Sequence, residues 1–142
     1  MKYIFAIIII LHALLHLLGF VKEFRLAQVS QISGDTLLGL PDTAKRIAGA
    51  LWLLACLSFL VTVGQYLRGN DSWWIWAVVS IILSQALIIL YWHDAKAGTI
   101  ANIIILAVAA FGYGQYSFNR MVNTEADKII TASHSAQKLV TE

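Results

Sequence analysis

Four apolar runs in this chain contain no Lys, Arg, Asp or Glu: residues 3–20, 47–67, 73–92 and 99–118. Each approaches the length of a helix that crosses a hydrocarbon core of ~30 Å, which takes about 20 residues. The charges are confined to the connections, the segregation expected of membrane spans. A β-barrel would require strands of about 10 residues that alternate in polarity. Runs such as IIIILHALLHLL and VVSIILSQALIIL do not alternate. With 59% hydrophobic and 13% charged residues in 142, there is too little polar surface for a water-soluble domain. The expectation is an all-α, polytopic membrane protein.

The connections set the expected topology. The first (residues 21–44) opens with Lys22, Glu23 and Arg25, turns polar through QVSQISGDT, and is broken at Gly34, Gly39 and Pro41. Leu37, Leu38 and Leu40 are expected on the membrane surface, and Asp42 or Thr43 as the N-cap of the second span. The second connection, RGNDS, offers Asp71 or Ser72 as the cap of the third span, and the third, HDAKAG, is equally short. Short links make neighbours antiparallel, so residues 1–118 are expected to form an up-down-up-down four-helix transmembrane bundle. Trp73, Trp74 and Trp76 at one end of the third span, with Tyr91 and Trp92 at the other, are read as the two interfaces. Residues 119–142 are expected to be a polar, partly helical tail, with Ile129, Ile130, Ala132, Ala136, Leu139 and Val140 at a loosely helical spacing. That tail is where a protein partner or a soluble domain would attach.

The first run exceeds the core of a signal peptide, about 7–15 residues, and has no small-x-small site before Phe20, so it is read as a retained span. Basic residues do not set the orientation. Lys22, Arg25, Lys45, Arg46 and Lys96 flank one side, and Lys2, Arg68 and Arg120 with the tail lysines Lys128 and Lys138 the other. A net charge of +2 without a basic stripe speaks against nucleic acid, and Cys56 alone makes neither an internal disulfide nor a CxxC pair.

Chemistry is concentrated in LHALLHLLGFVKEF, residues 11–24. His12 and His16 lie about 40° apart in azimuth and about 6 Å apart along a helix, and Gly19 and Glu23 continue the same face. Ionisable groups inside a membrane turn toward the bundle interior, and Gly19 allows another backbone to approach. Matching depths places His12 level with Ser84 and Gln85. His16 lies nearer the side bearing Glu23, His93, Asp94 and Lys96, where Thr99 and Asn102 begin the last span. The expected ligand contacts are His12, His16, Glu23, Gln85, His93, Asp94 and Asn102. The plainer alternative is that these groups hydrogen-bond helices together, with His93 and Asp94 ending the third helix. No catalytic residue stands out. His12 and His16 are the metal-ligand candidates, but two His without a third ligand make a poor zinc site.

The stretches IIIILHALLHLLGFVKEF, GALWLLACLSFL, ILYWHDAKAGTIANIIIL and FGYGQYSFNRMVN resemble a bacterial family of unknown function. Its members carry a DoxX-like four-helix membrane module followed by a soluble domain. The resemblance reaches about Asn123 and places His16, Gly19, Lys22, Trp52, Asp94, Lys96, Gly98, Thr99 and Asn102 at motif positions. It implies a multi-pass protein of the bacterial inner membrane, and the soluble domain is not expected in this chain. Some of the broader DoxX-like group are membrane subunits of quinone-linked sulfur oxidoreductases. This chain shares the four-span layout and the Gly-x-x-Lys ending of helix one, Gly19 to Lys22, but no cysteine pair.

Three functions follow as expectations. The first is a non-enzymatic anchor or accessory module with a polar intramembrane pocket for a lipid, a quinone or a partner. The second is an oxidoreductase subunit that binds quinone, haem or metal through His12 and His16. Two ligands at i, i+4 cannot occupy opposite faces of one porphyrin, so haem would need a further ligand such as His93. The third is a small transporter or channel, for which the paired spans show no inverted repeat.

Overall fold

A computed structural model describes residues 2–29 and 33–141. Ser30, Gln31 and Ile32, part of the polar stretch in the first connection, lie outside the described residues, as do the side chains of Lys138, Leu139, Val140 and Thr141. The elements are α1 (Lys2–Glu23), α2 (Asp42–Arg68), α3 (Trp73–Leu90), α4 (Trp92–Ala95) and α5 (Gly98–Thr141), with no strand among the described residues. Four helices, α1, α2, α3 and α5, are long and apolar enough to cross a membrane.

The isoleucine run 7–10 has strong β-propensity, yet it is helical. A helix satisfies its own N–H and C=O groups within the segment, and that outweighs the stiffness of β-branched side chains.

The helix ends differ from expectation in informative ways. Pro41, rather than Asp42 or Thr43, takes the N-cap position of α2, with extended backbone (φ −67°, ψ 158°) and no side-chain cap bond. Its carbonyl accepts from the Lys45 N–H at 3.0 Å. Asp42 becomes the first helical residue, where a carboxylate complements the dipole. Ser72 occupies the cap position of α3, but its hydroxyl makes no cap bond; its own N–H donates to Asn70 Oδ1 at 2.9 Å. Gly69 closes α2 in the left-handed region (φ 72°), its N–H reaching the Tyr66 carbonyl and that of Asn70 the Gln65 carbonyl. The third helix ends at Leu90, and His93 and Asp94 sit in the single-turn α4 instead of terminating α3. The last helix continues without a break at residue 118, as one element of 44 residues and about 66 Å.

Packing is sequential: α1 lies on α2, α2 on α3 and α3 on α5, whereas α1 and α5 meet over a short stretch. Phe5, Ile9, Ala13, Phe59, Ala77 and Ile105 belong to one apolar cluster. Ala48, Trp52, Ala55, Leu87, Ile88 and Tyr91 form a second. The outward faces carry Ile4, Ile7, Leu11, Leu54, Ile82 and Ile103, all exposed. An apolar belt of that extent is far larger than water-facing surfaces carry.

Candidate functional site

Between the two apolar clusters lies a buried polar layer. His12 and His16 are 3% and 2% exposed, and Ser84 and Asn102 are as deeply enclosed. A carbonyl oxygen only accepts, and this decides the proton positions. His12 Nε2–H donates to Asn102 Oδ1 at 2.9 Å, and His16 Nδ1–H donates to the His12 carbonyl at 2.8 Å. The neutral His16 ring therefore presents Nε2 as an acceptor, and the Ser84 hydroxyl donates to it at 2.9 Å. Asn102 Nδ2 donates to Ser84 Oγ at 3.0 Å and to Gln85 Oε1 at 3.1 Å, and Gln85 Nε2 donates to Thr99 Oγ1 at 3.2 Å. Asn102 Oδ1 also lies 3.2 Å from Ser84 Oγ, so the single Ser84 hydroxyl proton stands between two acceptors, His16 Nε2 and Asn102 Oδ1. The network ties α1, α3 and α5 together.

One atom is left over. With Nε2 protonated, His12 Nδ1 is a bare acceptor, and it is buried without a partner among the described residues. Trp52 Nε1–H and the Tyr91 hydroxyl are likewise buried and make no hydrogen bond of good geometry among the described residues. Burying such groups unsatisfied is costly, and native structures contain few.

These residues share a cavity. About 250 Å³ lies between α1, Trp52 of α2, Ile88 and Tyr91 at the end of α3, α4 and Gly98 at the start of α5. His12 and His16 stand at its inner end, and Leu15 and Leu18, 59% and 40% exposed, line its outer side. The aromatic rings step edge to face along it: His12 to His16 at 4.7 Å, His16 to Trp52 at 5.2 Å, and Trp52 to Tyr91 at 5.7 Å. Gly19 was expected to admit another backbone. Instead the Trp52 indole fills that notch, where a Cβ on Gly19 would stand 2.6 Å from the ring. Gly98 keeps the opposite wall thin; a Cβ there would meet Ile88 Cδ1 at 2.9 Å and His12 Cε1 at 3.5 Å.

The first connection folds over the mouth. Asp94 on α4 accepts from the Gly34 N–H at 2.9 Å and from the Ser33 hydroxyl at 3.0 and 3.1 Å, and the Leu37 N–H donates to the Leu90 carbonyl at 2.9 Å. Gly34 adopts φ +76°, which lets it turn its amide toward the carboxylate. Burial pushes the Asp94 carboxyl upward, but the bonds from Gly34 and Ser33 outweigh it and hold it below the usual carboxylate range.

Of the expected contacts, His12, His16, Gln85 and Asn102 join one network. Asp94 lines the cavity mouth, and Glu23 lines it opposite, its carboxylate interacting with the Tyr91 hydroxyl. His93 does not join them. Its side chain is 84% exposed and only skirts Asp94, at 3.5 Å, because the α4 turn directs it outward. His16 reaches Ser84 directly, and His12 reaches Ser84 and Gln85 through Asn102. Trp52 entered the sequence reading only through the resemblance, and Tyr91 only as an interface aromatic. Ser33 and Gly34 gave no signal beyond a turn-forming glycine.

Among the described residues no three His, Cys, Asp or Glu side chains come together to hold a metal. Both nitrogens of His16 and Nε2 of His12 are engaged within the protein. The cavity lies just below the ~300–1,000 Å³ of typical small-molecule sites, room for a single ring or an acyl chain rather than a macrocycle. No family model matches the chain, and no curated protein or solved structure does.

Proposed function

We propose that the chain is a non-enzymatic, multi-pass membrane module, an up-down-up-down bundle of α1, α2, α3 and α5, that holds an amphipathic ligand in the cavity beside His12. The same reading places it in a bacterial inner membrane, as the DoxX-like resemblance implies. One observation carries the proposal. The cavity is lined by His12, Trp52 and Tyr91, whose buried Nδ1, Nε1 and Oη atoms make no hydrogen bond of good geometry among the described residues, and by an outer wall of exposed leucines. Polar groups short of hydrogen bonds inside and apolar side chains outside complement a molecule with a hydrogen-bonding head and a hydrocarbon body.

The oxidoreductase reading uses the same cavity. Two donors, the Trp52 N–H and the Tyr91 O–H, and one acceptor, His12 Nδ1, fit a ring oxygen that alternates between carbonyl and hydroxyl, as in a quinone. The polar network does not offer a haem or metal site, so this version rests on quinone alone.

Native mass spectrometry of the detergent-purified chain, beside Ala97→Phe at the cavity edge, tests the proposal. An amphiphile retained by the wild type and lost from the variant supports it, and the ultraviolet spectrum of the extract separates quinone from lipid. Two forms that carry the same detergent and nothing else would end it.

A further inference from the structure

A second, wider hollow lies outside the first and shares Lys22 and Glu23 with it as a common rim. Four cations, Lys22, Arg25, Lys45 and Arg46, face it against two carboxylates, Glu23 and Asp42. Arg25 and Asp42 neutralise each other at 3.2 Å. Glu23 lies in the field of both Lys22 and Lys45, so one carboxylate serves two ammonium groups. Among the described residues Lys22, Lys45 and Arg46 form no ion pair within 4.0 Å. Both lysines are half-buried, and a Cβ on Gly34 would stand 3.2 Å from Lys22 Cε, so the stem of Lys22 is positioned by packing. Ammonium groups held part-way out of water without a matching anion are costly, and an anion at this rim would offset that cost.

The anion's depth is also set. Lys22 follows the apolar run of α1 by two residues, and Lys45 precedes that of α2 by two. In the proposed bundle both stand at the hydrocarbon edge, the level of lipid phosphates, where each basic residue contributes attraction. Below them the inner cavity opens past Leu15 and Leu18. We infer that Lys22 and Lys45, with Arg46 at the outer edge, bind the phosphate of an anionic phospholipid whose acyl chain occupies the cavity beneath. This rests on the pocket reading above and gives it a ligand class. With Arg25 and Asp42 paired, Lys22, Lys45 and Arg46 exceed Glu23 by two positive charges, and the phosphate diester supplies one negative charge against them.

The test uses the full chain reconstituted in nanodiscs of phosphatidylcholine mixed with phosphatidylglycerol, then released for native mass spectrometry. The expected result is preferential retention of phosphatidylglycerol. Removing each lysine charge should weaken that preference about fivefold. Lys22→Gln/Lys45→Gln should abolish it, Lys22→Arg/Lys45→Arg should keep it, and Arg68→Gln/Arg120→Gln, past the opposite ends of the second and fourth apolar runs, should leave it unchanged. Equal retention of both lipids by the wild type, or a preference that survives the glutamine pair, overturns the inference. Displacement by millimolar inorganic phosphate would assign the rim to a free anion and also overturn it. Retention of either lipid without preference, lost in Ala97→Phe, would leave the pocket reading standing and end this one. Retention of neither would end both.

Discussion

His12 Nε2 stands 2.9 Å from Asn102 Oδ1 across 90 positions of sequence, joining the first long helix to the last where the two otherwise barely touch. Among the described residues Asn102 alone bonds both Ser84 and Gln85 on α3. Asn102→Leu removes the acceptor for His12 and the donor for both α3 partners. At ~0.6–2 kcal/mol per intramembrane hydrogen bond, the loss is about 2 kcal/mol or more. Thermal unfolding in detergent should show it, with Asn119→Leu on an exposed stretch of α5 as the control. Equal melting temperatures for the two variants would mean that the layer does not hold the helices together.

Gly19→Ala should destabilise by about 1–3 kcal/mol, because the new methyl meets the Trp52 indole at 2.6 Å and packed cores resist overfilling. Combining it with Trp52→Leu should recover part of that loss. A double-mutant cycle in which the two effects simply add would place the ring elsewhere.

The layer was legible because a period of four is visible in any sequence. His12, His16, Gly19 and Glu23 can only share a face if the segment is helical, and Ser84, Gln85 and Asn102 are the few polar residues at comparable depths. The individual bonds within it were not legible. An imidazole leans toward the N-terminus of its helix, so its nitrogens sit away from its Cα level, and His16 takes Ser84. Tyr91 read as an interface aromatic because it ends an apolar run. It is buried because the chain leaves the helix there, at φ −107° and ψ 39°, and turns the ring against Trp52. The clasp of Ser33 and Gly34 on Asp94 joins a loop to a single-turn helix, and neither has a period to read.

That clasp should depend on pH. The folded Asp94 carboxyl lies below its ordinary value, so its contribution is fully present above that ordinary value of about 3.9. It is lost as pH falls through the lower folded value. Amide exchange at Gly34, corrected for its intrinsic pH dependence, should therefore be protected at neutral pH and lose protection below about pH 4. Asp94→Asn keeps the shape but weakens the charge-assisted bonds, so protection should fall at neutral pH and the acid step should vanish. An acid step retained in that variant would assign the transition to another group.

Tyr91→Phe separates binding from folding. In the protein alone the hydroxyl makes no hydrogen bond of good geometry and has only the Glu23 carboxylate nearby, so removing it costs little and keeps the ring against Trp52. The melting temperature without ligand should change little. Retention of a cavity-bound amphiphile should weaken, by about threefold to tenfold for one neutral hydrogen bond of ~0.5–1.5 kcal/mol. Native mass spectrometry and a thermal melt on the same preparation read both. A variant that melts markedly lower would show that the interaction of Glu23 with the hydroxyl stabilises the fold, making Tyr91 part of the scaffold. A variant unchanged in both respects would leave only His12 Nδ1 and Trp52 Nε1 to recognise the ligand.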